Sequence, residues 1–181
     1  QSATDRPGNA TGPQAELIAM LAGSFRAARW AALLLPLALM AGAWGSQLFG
    51  GLIPCEMCHW QRWPHYAAIL LATLGFVLPS DGIKKVAIAL AALAIITSGA
   101  IGVFHAGVEY HWWAGITACA LPPASGGTAD EMLARIMNTP VIACDVPQWS
   151  LFGISLAGFN ALFSIGGGVA ILLLLLRRQS A

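Results

Sequence analysis

Four cysteines are the side chains in this sequence best able to do covalent chemistry. Two stand as Cys55-Glu56-Met57-Cys58, and the other two, Cys119 and Cys144, have 24 residues between them. An even number points to pairs that exchange or staple. A disulfide between Cys55 and Cys58 closes so small a loop that it adds little stability. Exchange suits it better, because a nearby positive field turns one thiol of a Cys-X-X-Cys pair into a nucleophilic thiolate. Arg62 follows Cys58 by four residues, one turn if the segment is helical. Pro64 suits the first turn of a helix whose positive end would face the thiols. For Cys119 and Cys144 a structural bridge stands beside exchange as an open reading.

Two other chemistries fit the same residues. Cys55-Glu56-Met57-Cys58-His59 matches CxxCH, the attachment motif of c-type haem, with His59 as axial ligand. The segment is short, however, and that reading leaves Cys119 and Cys144 without a task. Four cysteines could also close a structural zinc site, but the second pair is spaced far beyond the usual two to four residues. The sequence therefore favours no metal.

These residues need elements to hold them, and composition says where those elements lie. Of 181 residues, 57% are hydrophobic and 9% charged, against about 25% charged in a soluble domain. A bilayer must cover part of such a chain. A net charge of +1 excludes a basic nucleic-acid module. No charge falls between Arg29 and Glu56, Arg62 and Asp81, Lys85 and Glu109, or Asp145 and Arg177. Each gap holds a helix long enough for ~30 Å of hydrocarbon. The expected fold is all-α, an integral membrane four-helix bundle with spans near 31–52, 63–80, 86–105 and 149–176. Together, 29–181 form one transmembrane domain.

Arg6, Arg26, Arg29, Lys84, Lys85, Arg177 and Arg178 fall on one side of these spans, and Arg62 and Arg135 on the other. That asymmetry puts both termini in the cytoplasm and the loops 53–62 and 106–148 outside it. All four cysteines then lie in the two outer loops, where disulfides persist. Trp30, Trp60, Trp63, Trp112, Trp113 and Trp149 sit near span ends, as an interfacial belt does, while Trp44 reads as packing. Residues 1–28 read as a mobile tail, with a short amphipathic helix in its second half leading into the first span. In the long loop, Thr128 and Glu131 fit a capping box. Met132, Leu133, Ile136 and Met137 follow on one face, and Asn138 with Pro140 stops the turn. A short amphipathic helix on the membrane surface is expected there.

Cys55-Glu56-Met57-Cys58-His59-Trp60-Gln61-Arg62-Trp63-Pro64, opening a span, resembles the signature of the bacterial disulfide bond formation protein B family, DsbB. His105-Ala106-Gly107-Val108-Glu109-Tyr110 before Cys119, and Cys144-Asp145-Val146-Pro147-Gln148-Trp149 at the start of the last span, support the resemblance. It covers roughly residues 30–178. The resemblance implies an inner-membrane thiol:quinone oxidoreductase that reoxidises a periplasmic thioredoxin-fold dithiol oxidase, a DsbA-like partner, and passes the electrons to ubiquinone or menaquinone. It implies that Cys119 accepts the partner's thiolate, that Cys144 then attacks Cys55, and that Cys58 is left as a thiolate facing the quinone. It further implies that Arg62 holds the quinone and steadies that thiolate, and that His105 hydrogen-bonds a quinone carbonyl or passes a proton. Such disulfides must be strained, exposed or coupled to their acceptor, since DsbA is itself strongly oxidising.

Each residue also has a plainer reading. Arg62 could be an interfacial anchor whose charge snorkels to the head groups. His105 could be a helix-end polar residue. A membrane scaffold with two staple disulfides is the non-enzymatic alternative. His59, His65 and His111 suggest no role. Gly99, Gly102, Gly153, Gly158 and Gly166-Gly167-Gly168 read as packing or flexibility, and Asn160 as interhelical glue. Only Asp145 and Val146 separate Cys144 from Pro147, which keeps Cys144 near the last span and restricts its travel to Cys55.

Overall fold

The computed structural model describes residues 13–116, 128–138 and 143–177. Among them run α1 (Pro13–Leu48), α2 (Glu56–Val77), α3 (Asp81–Glu109), α4 (Ala129–Asn138), a hairpin of β1 (Ser150–Leu151) and β2 (Ile154–Ser155), and α5 (Leu156–Leu176). The four long helices pack in a ring, α3 against α2 and α5, and α1 against α2 and α5.

Three helical segments are long and apolar enough to cross a membrane: Gly23–Leu48 of α1, α3 and α5. The second expected span, α2, does not reach that apolarity. Its first turns carry Glu56, His59, Gln61, Arg62 and His65. Gln61, Arg62 and His65 are buried against the other helices, while Trp63, Leu70, Leu74 and Val77 face outward. The polarity of Gln61, Arg62 and His65 is therefore turned inward, which a window average cannot see.

Element bounds differ from the expected spans for local reasons. The short helix and first span expected separately are one helix, because α1 runs unbroken from Pro13. Residues 1–12 and 178–181 lie outside the described residues. α2 starts at Glu56 because the Cys55 sulfur accepts the Cys58 N–H and so caps it; Cys58 and Arg62 are helical, not in a loop. α3 extends past His105 to Glu109, giving both residues one helical face. α5 starts seven residues later than expected. Ser155 caps it by accepting the Gly158 N–H at 3.1 Å. Ahead of it the hairpin turns at Phe152 and Gly153, with φ of 51° and 77°, the two-residue turn that matches strand twist. Gly153 is thus a turn residue, not a packing one.

The small-residue reading holds best between α3 and α5. A Cβ at Gly102 would lie 3.0 Å from the Ala157 carbonyl oxygen, and one at Gly168 would lie 2.5 Å from Ile96 Cγ1. Gly166, by contrast, faces open space. The apolar core sits toward the Lys84 end and is built of Ala28, Ala32, Ala68, Ala72, Ile88, Ala91, Ala92, Ile95 and Ile171. Within the second loop, α4 has the expected capping box. The Thr128 N–H donates to Glu131 Oε2 at 3.0 Å, and the Glu131 N–H to Thr128 Oγ1 at 3.4 Å. Leu133 and Met137 on it are exposed.

Candidate functional site

The Cys-X-X-Cys pair sits on the first turn of α2. Both sulfurs are free thiols, 2.9 Å apart, with Cys55 donating to Cys58. Cys55 is buried and Cys58 half-buried. Both precede the segment expected to cross the bilayer. The hydrogen bond from Cys55 lowers the Cys58 thiol below its ordinary range, against the opposing effect of burial, and Arg62 adds a smaller pull downward. The same bond and burial push the Cys55 thiol up. The pair is thus uneven: Cys58 is the more readily ionised thiol and Cys55 the one that holds its proton, the asymmetry that disulfide exchange needs.

His105 on α3 reaches this pair: its Nε2 lies 3.5 Å from Cys55 Sγ. Its other ring nitrogen is fixed. Gln61 Nε2 lies 2.8 Å from His105 Nδ1 and 3.3 Å from the Met57 carbonyl. A carbonyl only accepts, so the Gln61 amide nitrogen is the donor on that side. Nδ1 therefore accepts, and the ring's hydrogen is on Nε2, facing Cys55. Behind Gln61 the hydrogen bonds continue inward. Asn160 on α5 donates to Gln61 Oε1 at 2.8 Å and to the Ser98 carbonyl at 3.2 Å, and its Oδ1 meets His65 Nε2 and Ser164 Oγ. Asn160 is interhelical glue, as its sequence position suggests, and His65 belongs to the same network.

The second loop comes to the first. The ligand atoms of Cys55, His105 and Cys144 all lie within 4.8 Å of one another. Gln148 fastens this arrangement by accepting the Ile53 N–H at 3.0 Å and donating to the Ile53 carbonyl at 2.6 Å. Closeness of Cys144 to α5 therefore does not keep it from Cys55, contrary to the expected restriction. Cys119 lies outside the described residues.

A cavity of about 280 Å³ opens beside the thiols, between α1 and α5. Its polar groups include Cys55, Cys58, Arg62, His105 and Glu109. Leu156 and Phe163 line it and also face outward. Arg62 is 8% exposed. It does not snorkel outward. Its guanidinium donates to Gln47 Oε1 at 3.0 Å and the Ala43 carbonyl at 3.5 Å on α1, and it lies 5.3 Å from the Trp44 ring. A buried cation, a readily ionised thiol and a ring N–H around an apolar chamber can hold a flat, electron-accepting ring with polar oxygens.

The structure thus brings together Cys55, Cys58, Cys144, Arg62 and His105. Gln61, Gln148 and Glu109 join them without having been singled out by sequence, although Glu109 and Gln148 fall inside the motifs quoted above. His59 and His111 are exposed and do not line the cavity. Searches of curated proteins and of solved structures returned no match to the chain. A family model described as disulfide bond formation protein DsbB matches residues 25–174. With that span covering most of the chain, and with a dithiol carried on apolar helices, this membrane protein belongs to the DsbB family of disulfide-forming oxidoreductases.

Proposed function

We propose that the chain reoxidises a DsbA-like thioredoxin-fold dithiol oxidase on the periplasmic side of a bacterial inner membrane and passes the electrons to a membrane quinone. All four long helices would span the bilayer, α2 included, with both termini cytoplasmic. The observation that carries this reading is the convergence of sulfurs: Cys144 beside Cys55, and Cys55 hydrogen-bonded to Cys58, at the mouth of a mostly apolar chamber.

The chemistry follows the sulfurs. The partner's thiolate attacks the disulfide of the second loop at Cys119, which releases Cys144. Cys144 attacks Cys55 of the Cys55–Cys58 disulfide, and Cys58 leaves as the thiolate that its hydrogen bond from Cys55 favours. Resolution of the partner's mixed disulfide and of the loop-to-loop bond restores Cys119–Cys144 and leaves Cys55 and Cys58 reduced. A bound quinone would accept two electrons from that pair, and two protons. Arg62 and the Nε2–H of His105 would hold its oxygens, and the outward-facing wall at Leu156 and Phe163 suits a ring whose tail lies in lipid.

The test is anaerobic. Purified protein, a reduced DsbA-like protein and a short-chain ubiquinone are mixed, and quinone absorbance is followed. Catalytic loss of the oxidised quinone that needs both proteins is expected. No loss would overturn the reading and leave a membrane scaffold with staple disulfides.

A further inference from the structure

Closing a dithiol to a disulfide releases protons as well as electrons, and the site described so far has no group to receive them. Arg62 is a permanent cation. His105 is the obvious base, but its geometry forbids that role. Gln61 occupies Nδ1, so the nitrogen that faces Cys55 already carries its hydrogen. The Cys144 backbone also hydrogen-bonds this ring. His105 is therefore a donor toward the sulfurs and has no lone pair to offer them.

Glu109 supplies what is missing. It lies one turn beyond His105 on α3, is 8% exposed, and lines the same cavity as both sulfurs. Its Oε1 is 3.7 Å from His105 Nε2. Ser155, whose oxygen caps α5, hydrogen-bonds the carboxyl. Its Oε2 has no hydrogen-bond partner among the described residues. No ion pair joins it to Arg62 among the described residues, since Arg62 is engaged by α1. A carboxyl group buried with a free oxygen is costly to keep unless it has a task. An ionisable group at membrane depth is a functional candidate by default.

We propose that Glu109 accepts the proton released by Cys55 as Cys55 and Cys58 close to a disulfide, and returns it to the reduced quinone; this rests on the quinone reading above. The Cys55 S–H bond breaks and the Cys55–Cys58 S–S bond forms. The electron pair leaves through Cys58 to the quinone. The Cys55 proton crosses to the Glu109 carboxylate and then to one quinol oxygen. The second quinol proton comes from solvent, replacing the one Cys58 lost on becoming a thiolate. Ser155 donates to the carboxyl and orients it, with the His105 ring beside it. Among the described residues, the titratable and charged groups around Glu109 and its cavity are His105 on its own helix, Cys55 capping α2, Cys58, Arg62 and His65 on α2, and Cys144 in the second loop. The cavity walls from α1 and α5 contribute none.

Glu109→Gln keeps the shape and removes the proton acceptor. In the full-length protein it should lower kcat for quinone reduction about a hundredfold, leave the KM for quinone little changed, and abolish the acidic limb of the pH profile. Glu109→Asp should keep that limb at a reduced rate. A second readout needs no quinone. The ultraviolet absorbance of the Cys58 thiolate should titrate at lower pH in Glu109→Gln, because a neighbouring negative charge is gone. Normal turnover in Glu109→Gln overturns the proposal. So does slowed turnover with an unmoved thiolate titration, which would make Glu109 a packing residue. If the unsubstituted protein reduces no quinone, the quinone reading itself fails, and that outcome is distinct from either.

Discussion

The two ends of the helix ring solve opposite problems. At the Lys84 end, Ala28, Ala32, Ala68, Ala72, Ala91 and Ala92 let the helices meet face to face through small apolar side chains. At the thiol end, a small cluster of Cys55, Met57 and Val108 borders a cavity lined by Cys58, Arg62, His105 and Glu109. Between them lies a belt of hydrogen bonds through Gln61, His65, Ser98, Asn160 and Ser164. In a bilayer there is no hydrophobic drive between helices, so close packing and interhelical hydrogen bonds hold the ring together. The comparison teaches that the apolar end provides rigidity. The polar belt passes it on to the site by fixing which way Gln61, and hence His105, must point.

Substitutions at the two ends should therefore separate activity from stability. Cys58→Ser is expected to reduce quinone turnover on the order of a thousandfold or more, as loss of a covalent group does, while leaving thermal stability unchanged. Cys119→Ser should block the DsbA-like partner but leave Cys58 able to meet the quinone. Ile88→Ala at the far end should do the reverse. Ile88 is fully buried, so its truncation is expected to lower stability by about 2–5 kcal/mol with normal turnover per folded molecule. Thermal melts and turnover measured on the same preparations check both. Retained turnover in Cys58→Ser would break the comparison at once.

The belt should show both effects, each smaller. Gln61→Ala strands His105 Nδ1, and a buried unsatisfied group costs about 1–3 kcal/mol. It also frees the ring to place its hydrogen on either nitrogen. A fall in stability together with slower quinone reduction is expected. If only stability falls, the belt holds the helices together without setting the site.

Much of this was legible in the residue order. CxxC before Arg62, the capping box at Thr128 and Glu131, and three of the four apolar stretches each rest on local patterns, and local patterns survive folding. The convergence at the thiols was not legible. Cys144, Gln148 and Glu109 gain their meaning from what faces them across the ring, and a glutamine on a helix looks the same whether it anchors a histidine or faces water. The same limit explains Gly153. Its φ of 77° belongs to a turn set by the pairing of Ser150 with Ser155, and nothing in the neighbouring residues announces that pairing. α2 was the hardest span to judge because its polar residues, which weaken the hydropathy signal, are the ones the site needs.

Arg62→Ala sharpens the comparison further, since Arg62 ties the site to α1 through Gln47 and Ala43. Loss of a charge-assisted contact is expected to weaken quinone affinity about tenfold, a value in line with ~1.5 kcal/mol for hydrogen bonds to charged groups. An unchanged apparent affinity would return Arg62 to an anchoring role.

The subtlest effect concerns the division of labour inside the Cys-X-X-Cys pair. Cys58 is lowered first by the hydrogen bond from Cys55, and only secondarily by Arg62, against a desolvation that pushes it up. In quinone-free protein, alkylation of Cys58 by iodoacetamide should therefore persist below the ordinary thiol range. It should be lost only as pH falls through the depressed value. Cys55→Ala removes the donor but leaves burial and Arg62 in place. The loss of reactivity should then move to higher pH, because protonation of Cys58 is no longer opposed by its neighbour. Mass spectrometry of the peptide carrying Cys58, across a pH series, measures the shift. If the two proteins titrate together, the lowering comes from Arg62 and the helix end alone. Cys55 would then act only as the residue that Cys144 attacks, and the thiol end of the ring would owe its asymmetry to charge rather than to the sulfur–sulfur hydrogen bond.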